Sequence, residues 1–217
     1  MVRFLFIMIA LAAPASAAPE LCERAAAQAA AETGVPADLL LAIALAESGR
    51  QQDGRLRPWP WAANLEGQGH WFDTRAELVA FAEGAVAVGR PSVDIGCFQI
   101  NWRWHGQHFA RPGELSDPLT GARHAAGYLA RLHAEFGGWE AAVGAYHSRD
   151  PARAQRYAAR VASLRGTAPT APPAPHPPPD PPVRVAWALD GGGPPAAPGS
   201  IVPSTAAPRP FLDGLAP

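Results

Sequence analysis

The chain is short of net charge, of cysteine, and of apolar runs long enough for a bilayer. Its 217 residues carry 18 basic and 19 acidic side chains, for a formal charge of -1. No surplus of cations is available to neutralise phosphates or to hold an anionic membrane surface. Nucleic acid is therefore excluded as a partner, and partners should be neutral or small. The two cysteines have no C-x2-C or H-x3-H spacing near them, so no zinc set is expected. No cofactor is implied either.

The apolar run from Phe4 to Ala13 is too short to cross a membrane comfortably. It follows Arg3 and ends near Ala15-Ser16-Ala17, an A-x-A pattern. Residues 1–17 are therefore expected to be a signal peptide, and the mature protein periplasmic, with an uncleaved membrane anchor as the alternative. Export makes Cys22 and Cys97 readable. An even pair in an oxidising compartment is expected to form a bridge between the first mature helix and the segment around Cys97, two free thiols being the alternative.

What is present is helix. Leu21 to Ala31 is alanine-rich and stopped by Gly34. Pro36 then opens a second helix running to Glu47. Thr74-Arg75-Ala76-Glu77 is a capping box, followed by Leu78, Phe81, Ala82 and Ala85 at helical spacing. Asp117-Pro118 starts a helix with Leu119, Ala122, Ala126 and Leu129 on one face, ended by Gly137-Gly138. Trp139 to Tyr146 and Pro151 to Leu164 complete the set; the latter aligns Ala154, Tyr157, Ala158, Val161 and Leu164. There is little sign of a sheet. Ala62 to Leu65 and His70 to Phe72, separated by residues 66–69, are expected to form one short hairpin. Trp59, Trp61 and Trp71 in this region either stack on sugar faces or fill the core. Most of the 25 prolines follow Gly166, so residues 166–217 are expected to be a disordered, proline-rich tail. Its less polar islands, "VRVAWALDG" and "RPFLDGLAP", are either partner-docking motifs or apolar residues surviving at random in a disordered tail, the second being the favoured reading. The expected domain spans residues 18–165.

Chemistry enters at "LLLAIALAESGR", residues 39–50. Leu40, Ile43 and Glu47 lie at i, i+3 and i+7, so the carboxyl continues an apolar helix face. Desolvation there raises a carboxyl's pKa and keeps it protonated near neutrality, the state a general acid needs. Glycoside cleavage is the reaction class that uses such an acid most often. In "SVDIGCFQINWRWHG", Gln99 and Asn101 place amides beside aromatic residues, which suits an uncharged polyol or acetamido substrate. "AVGAYHSRDP" brings Tyr146 and His147 to a helix end, where a tyrosine hydroxyl is suited to orient the acid.

Together these stretches resemble the catalytic domain of the soluble lytic transglycosylases, goose-lysozyme-like enzymes that cleave bacterial peptidoglycan. Glu47-Ser48 matches the family's helix-ending Glu-Ser, and Gly96-Cys97-Phe98-Gln99-Ile100 matches its Gly-Leu-Met-Gln-Ile. Ala145-Tyr146 matches the start of its Ala-Tyr-Asn-Ala-Gly, with His147-Ser148-Arg149 in place of the rest. The similarity spans Leu21 to Arg165. It is closest to an alphaproteobacterial subgroup associated with flagellar or secretion machinery. The resemblance implies an all-α, lysozyme-like fold with a small hairpin insertion and no metal. It implies a monomer that cleaves the MurNAc-GlcNAc β-1,4 bond of glycan strands to leave 1,6-anhydro-MurNAc. Glu47 would be acid and then base, and Tyr146 would position it. Ser48, Gly96, Phe98, Gln99, Ile100, Asn101 and His147 would serve the substrate, Ile100 through its backbone. A flagellar rod or secretion-system protein would be the partner, reached through the tail.

Two other readings follow from the same residues. A hydrolytic muramidase would need a second carboxylate, for which Asp94, Glu66 and Asp73 are the candidates, although Asp94 is better suited to cap or hydrogen-bond the turn before Gly96. A non-catalytic envelope-assembly module would leave Glu47 without a task.

Overall fold

The computed structural model describes residues 18–166; the segment expected as a signal peptide and the tail beyond Gly166 lie outside the described residues. The described chain is mostly helical with small antiparallel sheets. In chain order the elements are α1 (Ala18–Thr33), α2 (Ala37–Ser48), β1 (Gly49–Gln52), β2 (Arg55–Pro58), β3 (Ala62–Leu65), β4 (Gln68–Trp71) and α3 (Arg75–Ala87). There follow β5 (Val93–Ile95), β6 (Ile100–Asn101), α4 (Trp102–His105), α5 (Pro118–Phe136), α6 (Trp139–His147) and α7 (Pro151–Arg165). Among the described residues no helix is long and apolar enough to cross a membrane.

The helix α2 sits at the centre because it is apolar on every side. Leu39 through Ala46 are all buried, which is the pattern of a helix enclosed by others. It packs against α1, α7 and the β1–β2 hairpin. Each fully buried Leu or Ile there contributes roughly 1.5–3 kcal/mol. The alanine stripe of α1 (Ala25, Ala26, Ala29, Ala30) lets it lie close to α2 and α5. At the far end of the helical layer α6 and α7 also approach closely. A Cβ on Gly144 would stand 3.0 Å from the Ala154 carbonyl oxygen and 3.1 Å from its Cβ.

The helix boundaries follow their signals. Thr74 and Glu77 form the reciprocal capping box, Asp117 Oδ2 accepts from the Thr120 N–H at 2.8 Å, and Gly137 ends α5 in the left-handed region. The sheet is larger than expected. Its strands β4-β3-β5-β6 are antiparallel, and β1 and β2 pair separately. The expected four-residue turn is in fact the two residues Glu66-Gly67, both at positive φ, so the returning strand is Gln68–Trp71 and not His70 to Phe72. Asp53-Gly54 makes a turn of the same kind between β1 and β2. These strands have two to four residues, too few to display an alternating pattern.

Two long-range ties fix α1 to the sheet side. Glu23, buried, accepts two hydrogen bonds from Arg57 of β2 at 2.9 and 2.8 Å. All 18 basic residues are arginine, and this one uses the guanidinium fork that lysine lacks. Cys22 is bridged to Cys97 across 75 residues, with Cα atoms 5.8 Å apart. In the chain-entropy account a loop of that size stabilises the fold by about 4 kcal/mol. Urea unfolding of a Cys22→Ala/Cys97→Ala variant should show a loss of about 2–5 kcal/mol. A loss below about 1 kcal/mol would mean that the bridge does not constrain this fold.

Candidate active site

The carboxyl of Glu47 emerges from the last turn of α2, one turn beyond Ile43 and two beyond Leu40, both fully buried. The residue keeps some exposed surface, but its carboxyl group is enclosed. Burial pushes its pKa from 4.5 up to about 7, against a hydrogen bond from Tyr157 and the charge of Arg160, which both pull it down. The Tyr157 hydroxyl, from α7, donates to Glu47 Oε1 at 2.5 Å. An acid that is half protonated near neutrality and held by a neutral donor can give a proton and take one back.

The tyrosine on Glu47 is therefore Tyr157, where the sequence pointed to Tyr146. Tyr146 is buried close by, with its hydroxyl donating to the Phe98 carbonyl at 3.0 Å. Burial, and next the charge of Glu47, push its ionisation well above the usual range. Tyr157 was legible only as one of five apolar-face residues on α7. The available signal was that a buried tyrosine hydroxyl needs a partner. His147 lies flat against the Tyr157 ring, with centroids 4.5 Å apart and planes within 4°. Burial, aided by Arg160, Arg153 and Arg156, lowers its pKa to about 4, so it is neutral at physiological pH.

Ser48 closes the end of α2. Its hydroxyl lies 3.1 Å from the Ala44 carbonyl and 2.9 Å from the Cys97 carbonyl, and it accepts from the Trp59 N–H at 3.3 Å. One side chain thus joins the acid's helix to the β5–β6 loop and to the segment after β2. Within that loop Gly96 has φ +78, and a Cβ there would stand 2.7 Å from the Leu115 carbonyl oxygen, so only glycine fits. Gln99 adopts φ 47 and spends its amide on the Gly96 and Ala62 carbonyls at 2.9 and 3.3 Å. Phe98 and Ile100 are in the core. Of the residues expected to serve substrate, Ser48, Gly96, Phe98, Gln99 and Ile100 act here as the frame of the site. Asn101 is buried and donates through Nδ2 to Asp94 Oδ1 at 2.7 Å.

Asp94 differs from its expected place. It lies within β5, paired with Asn101 and Asn64, and does not cap a turn. Burial raises its pKa well above the usual carboxyl value; the Asn101 hydrogen bond opposes this and the Glu47 charge adds to it. Glu66, by contrast, is exposed and paired with Arg90, and Asp73 is exposed before the α3 cap. The tryptophans divide: Trp59 is buried with its Nε1 bonded to the Phe72 carbonyl, Trp61 meets it edge-on, and Trp71 is half exposed. Trp104, unremarked in the sequence, is also exposed.

Comparison with protein-family models, curated proteins and solved structures found no match. The site must be read on its own chemistry. Among the described residues no group of three His, Cys, Asp or Glu side chains is arranged to hold a metal ion. A cavity of about 730 Å³ between the end of α5, α6 and α7 is lined by Phe136, Gly144, Ala145 and Ala158, and does not include Glu47. Glu47 is the candidate, a titratable group set against an apolar wall.

The same burial has a stability signature. Glu47 binds its proton more tightly folded, at about 7, than at its ordinary value of 4.5. Its contribution is therefore complete below the lower value and is lost as pH rises through the upper one, a loss of roughly 3 kcal/mol. Glu47→Gln cannot ionise and should not show that loss. Urea unfolding should find the variant and the parent similar near pH 4 and the variant more stable by up to about 3 kcal/mol at pH 8. Equal stability at pH 8 would mean that the carboxylate is not desolvated.

Proposed function

We propose that the protein is a peptidoglycan lytic transglycosylase with a lysozyme-like catalytic domain, working in the periplasm. The observation that carries the reading is the Glu47 carboxyl, enclosed by α2 and α7, with its proton retained to about pH 7 and one oxygen fixed by Tyr157. The resemblance of Glu47-Ser48, Gly96 to Ile100 and Ala145-Tyr146 to the three family motifs supports it.

In this reading a glycan strand lies across the mouth of α2, with Trp71 and Trp104 available at the surface for sugar-face contacts. Glu47 protonates the glycosidic oxygen between MurNAc and GlcNAc as the C1–O bond breaks. The MurNAc acetamido group supports the developing positive charge at C1. Glu47, now a carboxylate, takes the proton from the 6-hydroxyl of the same sugar as that oxygen bonds to C1. The proton balance closes on one residue, and the product is a 1,6-anhydro end. Tyr157 steadies the carboxyl in both states, and His147 keeps the Tyr157 ring in place by stacking. Service to a flagellar or secretion machine rests on the subgroup resemblance alone.

The test is mass spectrometry of soluble fragments released from purified peptidoglycan by residues 18–217 and by the Glu47→Gln variant. Anhydro-MurNAc ends are expected from the parent, reduced at least about a hundredfold in the variant. Reducing ends would replace this reading with hydrolysis, and no fragments from the parent would refute glycan cleavage.

A further inference from the structure

The formal charge of -1 is a sum over uneven parts, and the helix that holds the acid departs from it. α7 carries Arg153, Arg156, Arg160 and Arg165 and no acidic residue. Its packing rests on the buried Tyr157, Ala158 and Val161. The helix dipole favours cations in the last turn, where Arg165 is, and not in the first half, where Arg153 and Arg156 are. Arg156 and Arg160, four residues apart, also repel one another. The folding of this helix does not call for such a stripe.

Elsewhere in the fold the arginines are matched, as Arg57 is by Glu23 and Arg123 by Glu32. Among the described residues Arg156 and Arg160, with Arg55 of β2, have no ion pair, side-chain hydrogen bond or ring contact. Both α7 residues are exposed. The acids close to them in the chain or along the helix are already engaged. Asp150 caps α7 by accepting from the Arg153 N–H at 2.9 Å, Glu135 takes Arg149, and Asp38 takes Arg165. The unmatched pair brackets Tyr157, whose hydroxyl is on Glu47. Arg153, Tyr157 and Arg160 stand at i, i+4 and i+7, on one side of the helix. Arg160, Arg153 and Arg156 all bear electrostatically on His147, which is stacked on Tyr157, and Arg160 bears on Glu47 as well. The free cations therefore stand around the stack that steadies the acid.

An anion on this stripe would belong to whatever lies at Glu47. Guanidinium groups match carboxylates with two parallel hydrogen bonds. The sugars of a glycan strand are uncharged, but MurNAc bears a lactyl group whose carboxyl is either free or extended by a peptide stem that has carboxyls of its own. We infer that Arg156 and Arg160 bind a carboxylate of the strand seated at Glu47, making them specificity residues for an anionic strand over a neutral polysaccharide of GlcNAc alone. The inference rests on the glycan-cleavage reading and names its substrate more closely. The expectation of an uncharged substrate is thereby narrowed to the sugar rings. A carboxylate fixed on the α7 side also sets which way the strand crosses the acid.

The test is calorimetric titration of soluble glycan strands into the full chain carrying Glu47→Gln, so that strands stay intact. Adding Arg156→Gln and Arg160→Gln should raise the Kd for stem-bearing strands at least about threefold. Arg123→Gln with Arg165→Gln removes the same charge elsewhere and should leave it within about twofold. Strands whose carboxyls have been converted to amides should bind with and without Arg156 and Arg160 alike. A rise below about threefold, an equal rise in the control pair, or an equal rise with amidated strands would overturn the inference. Stripping the stems with an amidase leaves only the lactyl carboxylate. A rise that persists on stripped strands assigns the contact to the lactyl group, and one that disappears assigns it to the stem. Fragment release by the parent decides cleavage separately. A parent that cleaves nothing refutes that reading while the titration still decides this one, and no measurable binding of any strand would overturn the carboxylate contact even if cleavage stands.

Discussion

An ionisable carboxyl at the end of a helix that is otherwise apolar on all sides is the constraint around which this structure is arranged. The enclosure of α2 by α1, α7 and the β1–β2 hairpin stabilises the fold, and it denies water to the Glu47 charge. The hydrogen bond from Tyr157 recovers part of that cost without supplying a cation, so the proton is retained into the neutral range. A nearby arginine in direct contact would have made an ion pair and removed the acid. Arg160 stands far enough away to act only through its field.

The rest of the framework keeps the β5–β6 loop pressed on the acid's helix. Ser48, the Cys22–Cys97 bridge and Tyr146 reach this loop from α2, α1 and α6. Gly96 and Gln99, both at positive φ, give the loop the tight shape that lets carbonyls 97 and 98 face those partners. Ser48, Gly96 and Gln99 act here by fixing backbone while their own side chains or positions are buried. Asp94 and Asn101 flank this loop, so the same ties that hold the loop keep this buried, hydrogen-bonded pair in place.

The helices and their caps were legible because their signals are local: a capping box at Thr74, Asp117-Pro118, Gly137, and stripes at helical spacing. So was Glu47, since its place on the apolar face is a matter of spacing within one helix. The strands were mostly not legible, because pieces of two to four residues such as Gly49–Gln52 and Ile100–Asn101 carry no periodic pattern and are defined by their partners. The identity of the tyrosine on Glu47 was hidden for a related reason. Tyr146 and Tyr157 both sit on inward helix faces, and only the packing of α6 on α7 decides which hydroxyl reaches the carboxyl. Asp94 beside Gly96 resembled a turn residue, and the cross-strand pairing that defines its place joins residues 64, 94 and 101.

The account stands or falls on the proton held by Glu47. Its most direct measurement is a carbon-13 NMR titration of the Glu47 side-chain carboxyl, assigned by comparison with Glu47→Gln, in the parent and in Tyr157→Phe. The parent should titrate at about 7, and the loss of the Tyr157 donor should move the midpoint higher still. A parent midpoint near the ordinary 4.5, unmoved by the Tyr157 change, would contradict the account.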